Sequence, residues 1–300
     1  MRSLVTLVLT VPCLLGTARA DSLDDLLGPR EIAVGEAMRG GATGASAIAM
    51  NPAGLPLTRE LVFEGGYGYR VSDAASLVGV SACDSTNAAP GCFFYDYAGS
   101  SPEDIGGMTG RRRTHLAGMT LSRAVLPRVY VGAAAKYYDF NTDMTNEKSA
   151  SGFVLDLGAT LRLTSQVSFG VAGQNLAATE SSPQFPRAIG GGLLARPLPT
   201  LTFSFDSRWR TEGDHQGARF GGGGELFLRS SGGQNGIPIR LGGVRDTALD
   251  ATFVSAGLGY ANIRWSFDVT GRRQVAGGDD TLVLASLRFY GPREPSPSIE

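Results

Sequence analysis

The sequence predicts an all-β fold: a transmembrane, antiparallel, up-and-down β-barrel of about 14 strands, or about 12 in the alternative, with a short N-terminal helical or irregular plug. Three observations predict it. From residue 60 onward, apolar and polar residues alternate with a period of two in segments of about 9–12 residues, the span of a tilted strand crossing a bilayer. Charged residues make up 18% of the chain, below the roughly 25% of a soluble domain. Glycine accounts for 42 of 300 residues, about twice the ordinary share and without a collagen period. No apolar run after the N-terminus is long enough for a helix to span a bilayer.

Residues 1–20 have the pattern of a secretory signal. Arg2 supplies the positive start, residues 4–15 the apolar segment, and Ala18-Arg19-Ala20 the small-residue cleavage site. Cleavage after Ala20 removes Cys13 and two arginines and leaves 25 basic against 28 acidic residues. A balance so near neutrality gives no reason to expect a nucleic-acid partner. The expected location is the bacterial outer membrane.

Residues 21–58 form the expected plug. Asp21-Ser22 can cap a short helix through Leu27, with Gly28-Pro29 breaking the chain after it. Residues 35–55, GEAMRGGATGASAIAMNPAGL, are almost all small. They lack the bulk for a core of their own and are slim enough to pack inside a larger structure. Glycines weaken any helix here, and Pro52 turns the chain at Asn51.

Residues 59–290 form the expected barrel, with strands near 60–70, 75–83, 92–98, 112–123, 128–140, 150–163, 166–176, 187–196, 200–210, 218–229, 237–246, 252–260, 263–272 and 280–290. In 200–210 Leu201, Phe203, Phe205 and Trp209 oppose Thr202, Ser204, Asp206 and Arg208. Short turns near Pro127, Thr164-Ser165, Pro197-Leu198-Pro199, 230–236 and Ala261-Asn262 alternate with longer loops. That asymmetry assigns the short turns to the periplasm. Tyr67, Tyr69, Tyr137 and Trp209 then belong to an outer aromatic girdle, and Tyr260, Trp265 and Phe289 to a periplasmic one. Segments 75–83 and 92–98 decide between the two strand counts. If both are strands, Cys83 and Cys92 face each other across a periplasmic hairpin, and an even cysteine count in an exported chain favours a disulfide. The Pro-rich tail 291–300 is expected to be disordered.

Residues 35–55, joined to a strand starting at Glu60, resemble the FadL-type outer-membrane family, which includes long-chain fatty-acid transporters and the related secretion-associated barrels of the PorV kind. The resemblance rests on Gly40-Gly41-Ala42, the later alanines and Asn51-Pro52-Ala53-Gly54-Leu55. It is strongest over residues 33–70 and architectural elsewhere. It implies a plug in a fourteen-stranded barrel, passive diffusion of hydrophobic compounds, and a plug that rearranges to open a path with a lateral exit. Asn51, Pro52 and Ala53 match the family's plug motif, so Gly40, Gly41, Asn51, Pro52, Ala53 and Gly54 are the candidate plug residues. The outer loops are shorter than those of the family's fatty-acid carriers, which points to small hydrophobic or amphipathic solutes. The alternative is a non-transporting barrel that anchors or assembles with exported proteins.

The inferred inner face carries Glu64, Arg70, Lys136, Asp156, Arg162, Asp206, Arg208, Glu225, Arg240, Arg264, Asp268 and Arg288. Their mixed signs predict a salt-bridged or watered lumen, and Arg39 of the plug is expected to pair with Asp156 or Asp268. Gly221–Gly224 is a glycine run within a strand, suited to close approach of the plug. Arg111-Arg112-Arg113 stands at the outer rim, where guanidinium groups suit the phosphates of lipopolysaccharide and outer-membrane lipid. Only His115 and His215 exist, and neither sits in a hydrolase, metal or phosphate-loop motif, so no enzyme, cofactor or metal is expected.

Overall fold

The computed structural model of the chain describes residues 26–100, 103–105, 108–144, 147–180, 184–212, 216–232 and 235–293. The expected signal segment, most of the C-terminal tail and His215 lie outside them.

Fourteen of the sixteen strands close into one barrel. In chain order the strands are β1 (Glu60–Arg70), β2 (Ala75–Asp84), β3 (Gly91–Gly99), β4 (Glu103–Ile105), β5 (Met108–Gly110), β6 (Arg112–Leu126), β7 (Val129–Thr142), β8 (Ala150–Arg162), β9 (Val167–Ala178), β10 (Ala188–Leu198), β11 (Leu201–Arg210), β12 (Gly217–Arg229), β13 (Asn235–Asp246), β14 (Ala251–Asn262), β15 (Trp265–Ala276) and β16 (Thr281–Arg293). Successive barrel strands pair antiparallel, and β1 pairs with β16 to close the wall. β4 and β5 form a separate hairpin within the loop between β3 and β6. The strand count is therefore fourteen, with 75–84 and 91–99 inside the wall. β16 runs to Arg293, three residues past the expected end of the barrel.

Alternation decides which side of the wall each residue faces. Along β15, Trp265, Phe267 and Val269 point outward and Ser266, Asp268, Thr270 and Arg272 inward, with strict alternation of exposure from 265 to 274. The outside is a continuous belt of exposed Phe, Leu, Val, Ile, Tyr and Trp that includes Phe93, Leu241, Leu258 and Phe203. A lipid environment is the one in which such a surface is stable, and it makes this a transmembrane barrel. Tyr67, Tyr69, Tyr137 and Trp209 are exposed on its outer half, and Trp265 and Phe289 on the short-turn end. Tyr260 packs against Trp265 with ring centroids 5.1 Å apart.

The short turns are held by side chains that replace missing ladder bonds. Asn262 Oδ1 accepts from the backbone N–H of Arg264 at 2.7 Å and of Trp265 at 2.9 Å. Thr164 Oγ1 does the same for Gln166 and Val167. Cys83 and Cys92 are directly opposed in the β2–β3 pair and bonded to each other.

Inside the barrel lie α1 (Pro29–Ala33), α2 (Ala45–Ala49) and a 3-10 turn at Pro52–Leu57. The expected helix from Asp21-Ser22 through Leu27 lies mostly outside the described residues; Leu26 and Leu27 bend, and Pro29 opens α1. Proline is suited to that first position because its fixed φ is helical and the N–H it lacks has no intrahelical partner there.

Candidate functional site

The inner segment, residues 29–58, runs around the barrel wall against the order of the strands. The Pro29 carbonyl accepts from Thr270 on β15, and the Ala33 carbonyl from Ser255 on β14. Gly35 lies against β12 and β13, Arg39 against β10 and β11, and Gly40 against Ser168 of β9. Helix α2 then reaches toward β2 and β3, and the 3-10 turn packs on β6, β7 and β8.

Glycine makes this path possible. A Cβ on Gly242 would stand 2.1 Å from the Gly35 nitrogen, one on Gly170 2.1 Å from the Arg39 oxygen, and one on Gly132 2.5 Å from the Pro52 carbonyl carbon. Each inward glycine thus leaves a seat for the segment's backbone. In the run 221–224 only alternate residues serve this purpose: Gly221 and Gly223 face Gly35 and Val34, whereas Gly222 and Gly224 lie beside Phe205 and Phe203.

The expected motif residues converge with the wall. Asn51 is fully buried. Its side-chain amide donates to the Arg39 carbonyl and to Thr160 Oγ1, both at 2.9 Å, while its oxygen accepts from the Ala53 N–H at 3.1 Å. One side chain therefore ties together both halves of the segment and the wall. Pro52 opens the 3-10 turn. Gly54 packs so tightly that a Cβ would fall 1.9 Å from the Ala42 carbonyl oxygen. Gly40 and Gly41 press on Leu194.

Charges within the segment are matched by the wall. Arg39 donates from its backbone N–H and from Nη1 to Asp206 Oδ2, at 3.0 and 3.1 Å. The lumen carboxylate that takes Arg39 is Asp206, because Asp156 and Asp268 are already engaged: Asp156 with Lys136 and the Asn175 N–H, Asp268 with Arg240. Asn175 takes a positive φ of 54° at a break in the β8–β9 register, which turns its N–H onto Asp156. Glu36 sits at φ 57°, a conformation rare outside glycine, and is held there by Arg219 at 2.6 Å and Arg272 at 3.3 Å. Glu225 bonds Arg240 at 2.6 Å, Glu64 pairs with Arg288 at 2.8 Å, and Arg208 lines the lumen. Arg264 does not join them. It lies exposed in the β14–β15 turn, because the turn capped by Asn262 delays the start of β15 to Trp265. At the outer rim Arg112 is bound by Glu147, while Arg111 and Arg113 are exposed.

Glu31, Ser46 and Thr160 are site residues that the sequence argument did not single out. Ser46 Oγ donates to Glu31 Oε1, and Glu31 Oε2 has no partner. Burial raises the Glu31 carboxyl above its ordinary pKa; Arg288 opposes that shift and Glu64 adds to it. Burial lowers Arg39 from its usual value, against the pull of Asp206. A signal was available: Glu31, Glu36 and Arg39 are the only charges between residues 31 and 58, and a buried charge needs a partner.

Two cavities border the segment. The first is lined by apolar Leu26, Leu27, Phe94 and Phe185 and by charged Glu36, Arg39, Asp96, Lys136, Asp206, Arg208 and Arg219. The second is lined by inward residues such as Gly66, Leu77 and Asp96, and also by the outward Tyr67, Val78 and Val80.

No family model matches the sequence, and no curated protein matches it. Solved structures do. The CymD monoaromatic hydrocarbon channel superposes with a TM-score of 0.67 at 11% identity, over 88% of this chain and 97% of its own. The Pseudomonas putida toluene transporter TodX does so at 0.64 and 11%, over 88% and 97%. The chain has the fold of these hydrocarbon channels. A Pseudomonas aeruginosa FadL homologue shares this hydrocarbon-channel fold at a TM-score of 0.60 and 10% identity, over 84% of this chain and 96% of that one.

Proposed function

We propose that this chain is an outer-membrane channel that passes small hydrophobic or amphipathic compounds passively, with residues 29–58 as its plug. The observation that carries this proposal is the lumen cavity bordering the segment, whose lining combines apolar Leu26, Leu27, Ile48, Phe94 and Phe185 with charged groups of both signs. Such a lining suits a compound with an apolar body and at most one polar end. The toluene and monoaromatic-hydrocarbon transport named for TodX and CymD supports the same class of solute.

The second cavity supports a sideways path. β1 and β2 remain hydrogen-bonded along their length, but Gly66, Gly68 and Gly79 thin the wall where inward and outward residues line one concavity. In this account the solute enters from the outer mouth, waits above the segment, and leaves laterally or past a displaced plug. The belt of exposed apolar side chains contacts outer-membrane lipid, and the exposed Arg111 and Arg113 meet lipopolysaccharide phosphates at the rim.

Flux of toluene into liposomes carrying the purified chain tests the proposal. Wild type is expected to pass toluene selectively, and a deletion of residues 29–58 to leak small polar solutes as well. Identical, closed behaviour of both proteins would sink it.

A further inference from the structure

A third concavity lies at the short-turn end, between the inner segment and the wall at β8–β10. Its lining includes Arg162 of β8, Arg196 of β10, Thr43 and Thr58 of the inner segment, and Thr164 and Ser165 of the turn between β8 and β9. No carboxylate lines it.

That composition is exceptional inside this barrel. Four other lumen arginines have carboxylate partners: Arg39 with Asp206, Arg219 with Glu36 and Asp246, Arg240 with Glu225 and Asp268, Arg288 with Glu64. Among the described residues, neither Arg162 nor Arg196 has a carboxylate within 4.0 Å. Arg162 Nη1 is shut off from solvent with no hydrogen-bond partner. Arg30 and Arg162 both add positive potential at Arg196, with Glu225 the nearby acid, and Glu225 is already bonded to Arg240. A guanidinium nitrogen shut off from solvent without a partner, as Arg162 Nη1 is, is costly, and an incoming anion removes that cost, while the exposed Arg196 adds positive charge at the open side.

The register brings the two arginines to one concavity. Arg162 stands opposite Ser168 in the β8–β9 pair, and Ser168 stands opposite Leu194 in β9–β10, two residues before Arg196. The two residues thus stand on strands either side of β9, about 12 Å apart by strand spacing and rise, and both line that concavity. The Arg196 N–H is fixed to the Gln166 carbonyl at 2.8 Å. Thr164 Oγ1 already accepts from two backbone N–H groups, so its own proton is left to donate.

We propose that Arg162 and Arg196 form an oxyanion-binding site at the periplasmic mouth, which takes a carboxylate or phosphate group against residues 41–43 of the inner segment. The guanidinium pair supplies charge and fork geometry, and the hydroxyls of Thr43, Thr58 and Thr164 complete the shell. Two sources carry this chemistry: a small anion in solution and the head group of an inner-leaflet phospholipid. The site stands apart from transport and is tested without it.

Calorimetric titration of the full-length chain in a maltoside detergent, with inorganic phosphate and with benzoate, tests the soluble source. Native mass spectrometry after reconstitution in nanodiscs of phosphatidylglycerol or phosphatidylcholine tests the lipid source. Wild type is expected to bind in at least one arm. Arg162→Gln with Arg196→Gln should weaken that binding tenfold or more, and Arg162→Lys with Arg196→Lys only partly. Saturable binding of phosphate or benzoate identifies a soluble anion; selective retention of phosphatidylglycerol identifies the head group. Heat-modifiable migration confirms that the variants fold. Should the double variant not fold, the single variants and the wild-type titrations decide. No saturable binding by wild type in any arm, or binding unchanged in the folded variants, overturns the proposal.

Discussion

Asn51 shows how much one side chain can hold. Its amide spans three structural units: its own turn through Ala53, the earlier half of the segment through Arg39, and the wall through Thr160. Asn51→Ala leaves buried partners unsatisfied, and we expect it to cost about 1–3 kcal/mol, read as a lowered midpoint of thermal unfolding in detergent. The motif that marks Asn51 is visible in the sequence. Its partners are not, because Arg39 and Thr160 lie 12 and 109 residues away and only the closed barrel brings them together. Glu31 carries a second expectation. Its carboxyl is pushed above the ordinary value by burial, so the folded state favours the protonated form. Its contribution to stability is therefore greatest below about pH 4.3, the unfolded value, and falls as pH rises toward the raised folded value. Glu31→Gln should flatten that slope and be at least as stable at neutral pH. A melting-temperature series across pH that steepened instead would contradict this.

At the scale of elements, the inner segment and the wall glycines form one device. The sequence shows small residues on both sides of the contact, and from that alone close approach could be expected but not its register. Gly242→Val would drive side-chain atoms into the Gly35 backbone while leaving the outer face of β13 unchanged. We expect a folded barrel with a displaced segment, seen as faster protease cleavage within residues 29–58 and unaltered heat-modifiable migration. The β2–β3 hairpin is held in a different way, by Cys83–Cys92 next to Gly44 of the segment. Closing a loop of this size stabilises by about 3 kcal/mol in the chain-entropy model, so replacing both cysteines by alanine should lower the unfolding midpoint without changing the strand count. Arg264 and Arg39 show where alternation stops being informative. Alternation assigns a face within a strand, but it does not say that β15 begins only at Trp265, nor which of several inward carboxylates stands beside a given segment residue.

For the whole molecule, alternation, glycine content and the rhythm of short and long connections pointed to a closed barrel of about fourteen strands, or twelve, because lipid outside and polar contents inside impose the same period on every strand; only the paired β2 and β3 decided the count. The small hairpin β4–β5 could not be read, since a loop hairpin buries too little to leave a periodic mark. The unmatched pair Arg162 and Arg196 was equally hidden. A list of inward charges does not reveal which ones lack a partner until all the partners are placed. The path of the inner segment has a mechanical consequence. Its far end, at Pro29, rests on β15, and its near end, at Asn51 and the 3-10 turn, is pinned against β6, β7 and β8. A pull applied from the N-terminal side would not load all the attachments together. It would strip them one after another, from Thr270 to Ser255, then Gly242, then Asp206, with Asn51 yielding last. The segment would peel like tape from one edge, and each strand it left would widen the lumen by one step.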